Sequence, residues 1–288
     1  MSQPNIVILA GGISSRMKNT AIHAKGLPPG LRRQAANKPK TMIQVGEQRR
    51  PFLDYLLHNI AAAGYREVMI VIGEKDQSIR EYYVQGGARP FHSLNITFAL
   101  QPTTPGRSKP LGTADALWHG LVGRPDWRGQ SVTVCNSDNL YSISALQRLL
   151  QESHANAMID YDRAALQFPL ERITQFAVIE KDSQGFLCNI IEKPEAATIS
   201  QLVDDNGRLG VSINLFRFNY DDILPCLEEV PLHPLRQEKE LPAAVVLMVK
   251  QYRRPVLTIP RAEHVPDLTT AEDIAVVSEY LKCEYRGV

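Results

Sequence analysis

A chain of 288 residues that is 44% hydrophobic and 22% charged has the composition of an ordinary globular protein able to bury a large core. A formal net charge of +1 argues against a nucleic-acid or membrane-surface binder, and no apolar run approaches the roughly 18 residues of a membrane span. The four cysteines, Cys135, Cys188, Cys226 and Cys283, share no Cys-x-x-Cys spacing, which predicts reduced thiols in a cytoplasmic protein, and the seven histidines show no zinc-binding pattern.

The first predicted element, 5–10, is an apolar strand that runs straight into Gly11-Gly12 and then Ser14-Ser15-Arg16. A backbone passing close to a polyphosphate needs residues without a Cβ, and its N–H groups then face the anion while the arginine adds fixed charge. The spacing is neither the dinucleotide fingerprint nor the Walker loop, and from the glycines alone a tight turn is an equal reading. No Asp or Glu precedes Glu47, whereas Arg16, Lys18, Lys25, Arg32, Arg33, Lys38 and Lys40 do. That bias suits a polyphosphate site better than a targeting peptide, because 5–10 already reads as core. Residues 18–37, with Gly26, Pro28, Pro29 and Gly30, are too long and irregular for a simple turn and are read as a mobile lid.

Helical patterns at 52–63, 78–84 and 114–121 then alternate with strands at 68–72, 95–99 and 131–135. This rhythm predicts a Rossmann-like α/β fold, a mostly parallel sheet with helices on both faces and ligands at the carboxyl ends of its strands. After about Leu140, strands at 157–161, 176–180, 186–192 and 209–218 come without regular helices between them, which predicts an antiparallel extension forming a second wall of the cleft. Helices at 220–227, 239–249 and 271–281 close the chain. A single domain over 1–288 is the simplest organisation, with a nucleotide-binding half (1–140) and an acceptor-binding and closing half (141–288).

Several residues in this frame carry chemistry. Asp138, just past a strand and flanked by Asn136, Ser137 and Asn139, is placed to hold a hard cation such as Mg2+ through oxygen ligands; the alternative is a cap for the helix near Ser144. Lys40 follows Pro39 in a loop and reads either as a phosphate ligand or as a solvated surface lysine. Thr270-x-x-Asp273 is a capping-box variant, so Asp273 is read as structural.

Together, Leu9-Ala-Gly-Gly-Ile-Ser-Ser-Arg-Met17, Pro39-Lys-Thr-Met42, Gln101, Gly112-Thr-Ala-Asp-Ala116, Asn136-Ser-Asp-Asn139, Glu192-Lys-Pro194 and Pro266-Asp-Leu-Thr-Thr270 resemble the nucleotidyltransferase family that includes the sugar-1-phosphate nucleotidyltransferases, or NDP-sugar pyrophosphorylases. The resemblance runs from Leu9 to about Ile274. Departures are Ser14, where the sugar branch usually has a third glycine and where the double serine looks more like the molybdopterin-cofactor branch, and longer connections at 18–37 and 102–111. Glu192-Lys193-Pro194 argues for the sugar branch.

The resemblance implies that Ala10, Gly11 and Gly12 form the nucleotide loop, that Arg16 and Lys40 act on the triphosphate with Asp138, and that Asp138 and Asp267 share Mg2+. It also implies that Gln101, Gly112 and Thr113 hold the base, with Asp115 capping or orienting the helix there. A primary amide both donates and accepts, which suits a pyrimidine edge at Gln101; an ordinary strand-end role is the alternative. Glu192 would hold sugar hydroxyls, Lys193 the acceptor phosphate, and Asn214 would face the sugar unless it is a plain strand asparagine. The expected activity joins a nucleoside triphosphate and a sugar 1-phosphate into a nucleotide sugar, with no nucleic-acid or membrane partner and a homo-oligomer left open. A cytidylyltransferase for a non-sugar phosphate and a non-catalytic regulatory relative are the alternatives.

Overall fold

The computed structural model describes residues 4–24, 26–84, 91 and 93–286, so Lys25 of the basic N-terminal set lies outside the described residues. The first half comprises β1 (Asn5–Ala10), α1 (Ser15–Ala21), α2 (Pro29–Asn37), β2 (Gln44–Val45), β3 (Arg50–Pro51), α3 (Phe52–Ala63), β4 (Glu67–Gly73), α4 (Ser78–Val84), β5 (Asn95–Gln101), α5 (Thr113–Val122) and β6 (Ser131–Asn136). The second comprises α6 (Ile143–Leu150), β7 (Ala157–Asp162), α7 (Leu170–Ile173), β8 (Ala177–Lys181), β9 (Leu187–Ile191), α8 (Ala196–Leu202), β10 (Gly210–Ser212), β11 (Phe216–Asn219), α9 (Tyr220–Glu229), α10 (Leu241–Lys250), β12 (Leu257–Arg261) and α11 (Asp273–Glu284).

A ten-stranded sheet runs in the order β5-β4-β1-β6-β11-β7-β10-β8-β9, with β12 added to β7. The first four strands are all parallel, and β11 then pairs antiparallel with both β6 and β7. The fold is therefore α/β, as the alternating pattern predicts, and every antiparallel pairing of the large sheet involves a strand of the second half. The central strand explains the two layers. Alternate residues of β1 point to opposite faces, so Ile6 and Ile8 enter one core with Leu56 of α3 and Leu146 of α6. Val7 and Leu9 enter the other core with Leu117 of α5, Ile223 of α9 and Val245 of α10. Helix α3 ends at Gly64, whose left-handed backbone (φ 105°) lets its own N–H and that of Tyr65 reach the Ala61 and Ile60 carbonyls.

Two expectations need correction. Residues 18–37 are not irregular: they include the end of α1 and all of α2, with Ala21, Ala24, Leu27 and Ala35 buried. The run 209–218 is not one strand but β10 and β11, separated at Asn214 where φ is 51°. The parallel strand β12 and the β2–β3 hairpin went unanticipated, since neither stretch has a long alternating pattern.

Candidate active site

The strand order reverses direction between β1 and β6, with the next parallel strands β4 and β5 lying on the far side of β1. In an open parallel sheet that reversal leaves a crevice beyond the carboxyl ends of the two strands. Leu9 pairs with Asn136 in register, and the Ser137 N–H donates to the Leu9 carbonyl at 3.2 Å. The Gly11-Gly12 loop and Asp138 consequently leave the sheet on the same rim. They line one cavity of about 250 Å³ together with Ala10, Ser14, Lys40, Gln101, Gly112 and Thr113.

Several of these residues are fixed by a local reason. A Cβ on Gly11 would lie 2.6 Å from Gln101 Oε1, whereas around Gly12 there is open space. Ser14 adopts φ 56°, the left-handed conformation in which glycine is unstrained, and its hydroxyl oxygen accepts the Lys40 backbone N–H at 3.1 Å. That bond joins the glycine loop to the Pro39-Lys40 segment. Thr41 and Met42 are buried beneath it. The Lys40 ammonium forms an ion pair with Asp138 Oδ2 and its side chain is only 19% exposed, which sets aside the surface-lysine alternative.

Asp138 does not cap the following helix. That role belongs to Ser142, whose Oγ accepts the Ala145 N–H at 3.0 Å. Instead, the Asp138 carbonyl accepts the Leu268 N–H at 2.9 Å, and the Leu140 N–H donates to the Pro266 carbonyl at 2.8 Å. A single antiparallel bridge between Asn139 and Asp267 lies within this short ladder. It brings Asp267 beside Asp138. Burial and the Asp138 charge raise the Asp267 carboxyl above the usual range, against the opposing pull of Arg172, Lys40 and the Thr269 hydroxyl.

Arg172, on α7, is the residue that the sequence reading missed. It pairs with Asp267 Oδ2 at 2.8 Å and with Asp273 Oδ1 at 2.6 Å, and its guanidinium carbon sits 4.4 Å from the Phe168 ring centroid. No motif surrounds it, and it meets its partners only because the connection between β7 and β8 packs beside the segment that follows β12. Asp273 is structural, as expected: its Oδ2 accepts the Thr269 and Thr270 N–H groups at 2.9 and 2.7 Å.

Not every expected residue lines the glycine-loop cavity. Arg16 lines a separate cavity of about 550 Å³ on the Asp267 and Arg172 side. Glu192, Lys193 and Asn214 line neither cavity. Glu192 follows the outermost strand and pairs with Arg236, which also pairs with Glu240. Lys193 and Asn214 both have left-handed backbones, at φ 44° and 51°. Asparagine tolerates that conformation better than most residues, so the break between β10 and β11 gives Asn214 a conformational reason to be there.

On the base side, the Gln101 amide nitrogen donates to the Gly112 carbonyl and to Asp115 Oδ2, each at 2.8 Å. Both amide donors of Gln101 are therefore engaged within the protein, so the expected donor-and-acceptor face is reduced to the amide oxygen. Gly112 has φ 115°, and a Cβ there would meet the Lys239 carbonyl at 2.4 Å. The Thr113 hydroxyl accepts the Leu241 N–H at 2.9 Å, which docks the start of α10 against the start of α5. All four cysteines are free thiols, and among the described residues no helix is long and apolar enough to cross a membrane.

A family model described as nucleotidyl transferase matches residues 31–219. That span covers Lys40, Gln101, Gly112, Asp138 and Glu192 but neither the glycine loop nor Asp267. Glucose-1-phosphate adenylyltransferase 2 of Vibrio parahaemolyticus is 25% identical over 227 residues, 77% of this chain and 51% of its own length. A glucose-1-phosphate adenylyltransferase of Anaeromyxobacter dehalogenans is 29% identical over 191 residues, 65% of this chain and 42% of its own. The chain spans about half the length of the curated relatives it matches. Among solved structures, UDP-glucose pyrophosphorylase complexed with UDP-glucose shares the fold, with a TM-score of 0.68 over 99% of this chain and 100% of that one at 17% identity.

Proposed function

The chain belongs to the nucleotidyl transferase family, and from that premise we propose that it joins a nucleoside triphosphate to a sugar 1-phosphate, releasing pyrophosphate and forming a nucleotide sugar. The observation that carries this proposal is the rim where Asp138 and Asp267 meet beside the glycine loop, with Lys40 held on Asp138. The names of the relatives, glucose-1-phosphate adenylyltransferase and UDP-glucose pyrophosphorylase, favour a sugar phosphate over another acceptor. One sheet continuous across both halves supports treating the chain as a single catalytic unit. Four free thiols support a cytoplasmic setting.

In the reaction, an oxygen of the acceptor phosphate attacks the α-phosphorus. One P–O bond forms there, the bond to the bridging oxygen breaks, and pyrophosphate leaves with that electron pair. The barrier is mainly the approach of two anions and the charge growing on the leaving group, so positioning and electrostatics dominate. Gly11 and Gly12 let the backbone approach the phosphates. Lys40 exchanges Asp138 for a phosphate oxygen, and Arg16, on the Asp267 side, approaches the leaving pyrophosphate.

Asp138 and Asp267 are the oxygen ligands that would hold a hard divalent cation, since the Asn139–Asp267 bridge brings them to one rim, and the cation would replace Lys40 and Arg172 as their positive partners. Mg2+ held there would neutralise charge developing on the α-phosphate. Gln101, Gly112 and Thr113 hold the base. The antiparallel side takes the sugar, with Lys193 on its phosphate and Asn214 near the ring, and Glu192 must release Arg236 to reach a hydroxyl.

The reverse reaction tests the proposal even while the acceptor is unidentified. A panel of nucleotide sugars incubated with pyrophosphate and Mg2+ should yield a nucleoside triphosphate from at least one of them. A panel spanning all common bases and sugars that yields none would contradict it.

A further inference from the structure

We propose that Asp115 is a positioning residue that sets base selectivity, by locking the Gln101 amide so that it offers the cavity an acceptor and no donor. This deepens the function proposed above and rests on the nucleotide occupying the glycine-loop cavity. Gln101 ends β5 and is 2% exposed. Its side chain has one accepting end and one end with two donors. The two groups facing Nε2, the Gly112 carbonyl and the Asp115 carboxylate, can only accept, so the amide has one permitted orientation. Both N–H donors are consumed by these bonds.

The other end, Oε1, lies against the glycine loop, where a Cβ on Gly11 would come within 2.6 Å of it. The loop side of the cavity therefore presents a fixed acceptor. A base that places an N–H opposite it gains a hydrogen bond, and one that places a lone pair there meets repulsion. Asp115 sits in the first turn of α5 between the buried Ala114 and Ala116, and its Oδ2 is 3.9 Å from His119 Nε2 one turn on.

The rival role for Asp115 is a negative charge favouring a helix N-terminus. Two variants separate these. Asp115→Ala removes the accepting oxygen, whereas Asp115→Asn removes the charge but keeps a carbonyl that can accept from Gln101. Calorimetric titration with UTP, CTP, GTP and ATP gives the ratio of affinities within each ring size, UTP against CTP and GTP against ATP. Within each pair the ring nitrogen changes from donor to acceptor. A ratio measured on one preparation is insensitive to a loss of folded protein.

For the pair that the wild type discriminates, the expected result is a ratio about 5- to 10-fold smaller in Asp115→Ala and within about 2-fold of wild type in Asp115→Asn. A wild type that prefers neither UTP over CTP nor GTP over ATP, an unchanged ratio in Asp115→Ala, or an equal loss in both variants would overturn the lock. Failure of the wild type to bind any of the four nucleotides would instead overturn the nucleotide assignment, and this inference with it.

Discussion

At the scale of single residues, the site depends on where a Cβ is missing and where a charge is paired. Gly11 leaves room for Gln101 Oε1, which would lie 2.6 Å from an added methyl group. Gly11→Ala should therefore displace a pinned amide inside the cavity, lowering nucleotide affinity about 10-fold or more while the melting temperature stays near wild type. Equal affinity in a binding titration would show that the base does not rest there. A second glycine guards stability. A Cβ on Gly210 would lie 1.9 Å from Asp160 Oδ1, a carboxylate with no exposed surface that pairs with Lys181 at 2.9 Å and Arg208 at 2.7 Å. Gly210→Ala should push that carboxylate off its cations and destabilise the fold by about 3 kcal/mol or more, read in denaturant unfolding, because a broken buried pair leaves charge uncompensated. The motif residues Gly11, Lys40, Asp138 and Asp267 were legible in the sequence, since each sits just beyond a predicted strand or in a short signature. Arg172 was not, because nothing near it in sequence announces its two carboxylate partners.

At the scale of elements, legibility follows apolar content. Strands β1 and β4 and helix α3 were readable because nearly every position is buried. Helix α2 was not, because it contains Gly30, starts at Pro29 and fully buries only Ala35. Beside the apolar packing of Leu31, Ala35 and Ala36, it has a polar tie: the Gln34 amide donates to Gln44 Oε1 and accepts the Gln44 backbone N–H, both at 3.0 Å. Gln34→Ala should loosen α2 and speed tryptic cleavage at Arg32 and Arg33, with little change in global stability; an unchanged cleavage rate would mean that α2 is anchored elsewhere. The end of α6 carries a pH dependence. Burial alone would raise the Glu152 carboxyl, but hydrogen bonds from the His154 ring and backbone, the Arg148 charge and the Ser153 N–H outweigh it and hold the group at about 2, below its usual 4.5. A depressed carboxyl stabilises the fold above its unfolded value and loses that contribution as pH falls through the folded one. The stability gap between wild type and Glu152→Gln should thus be full above pH 4.5 and close towards pH 2, as followed by thermal unfolding. A gap independent of pH would contradict the charge-based account.

At the scale of the whole molecule, the sheet explains why residues distant in sequence meet. The reversal of strand order at β1 and β6 makes the crevice, and the chain's return after β12 delivers Asp267 to the Asp138 rim. The parallel half was legible from the βαβ rhythm. The course of the second half was not, because its strands are short, their order is set by pairing rather than by sequence, and β12 inserts parallel beside β7. The proposed acceptor residues Glu192, Lys193 and Asn214 belong to that second half and stand away from the glycine-loop cavity. The most direct measurement is pyrophosphate release from a nucleoside triphosphate and a sugar 1-phosphate with Mg2+, for the wild type, Asp138→Asn and Asp267→Asn. Release should require the sugar phosphate and fall at least about 100-fold in each variant while circular dichroism and melting temperature hold. Undiminished release in both variants, or none from the wild type with any sugar phosphate, would contradict the account.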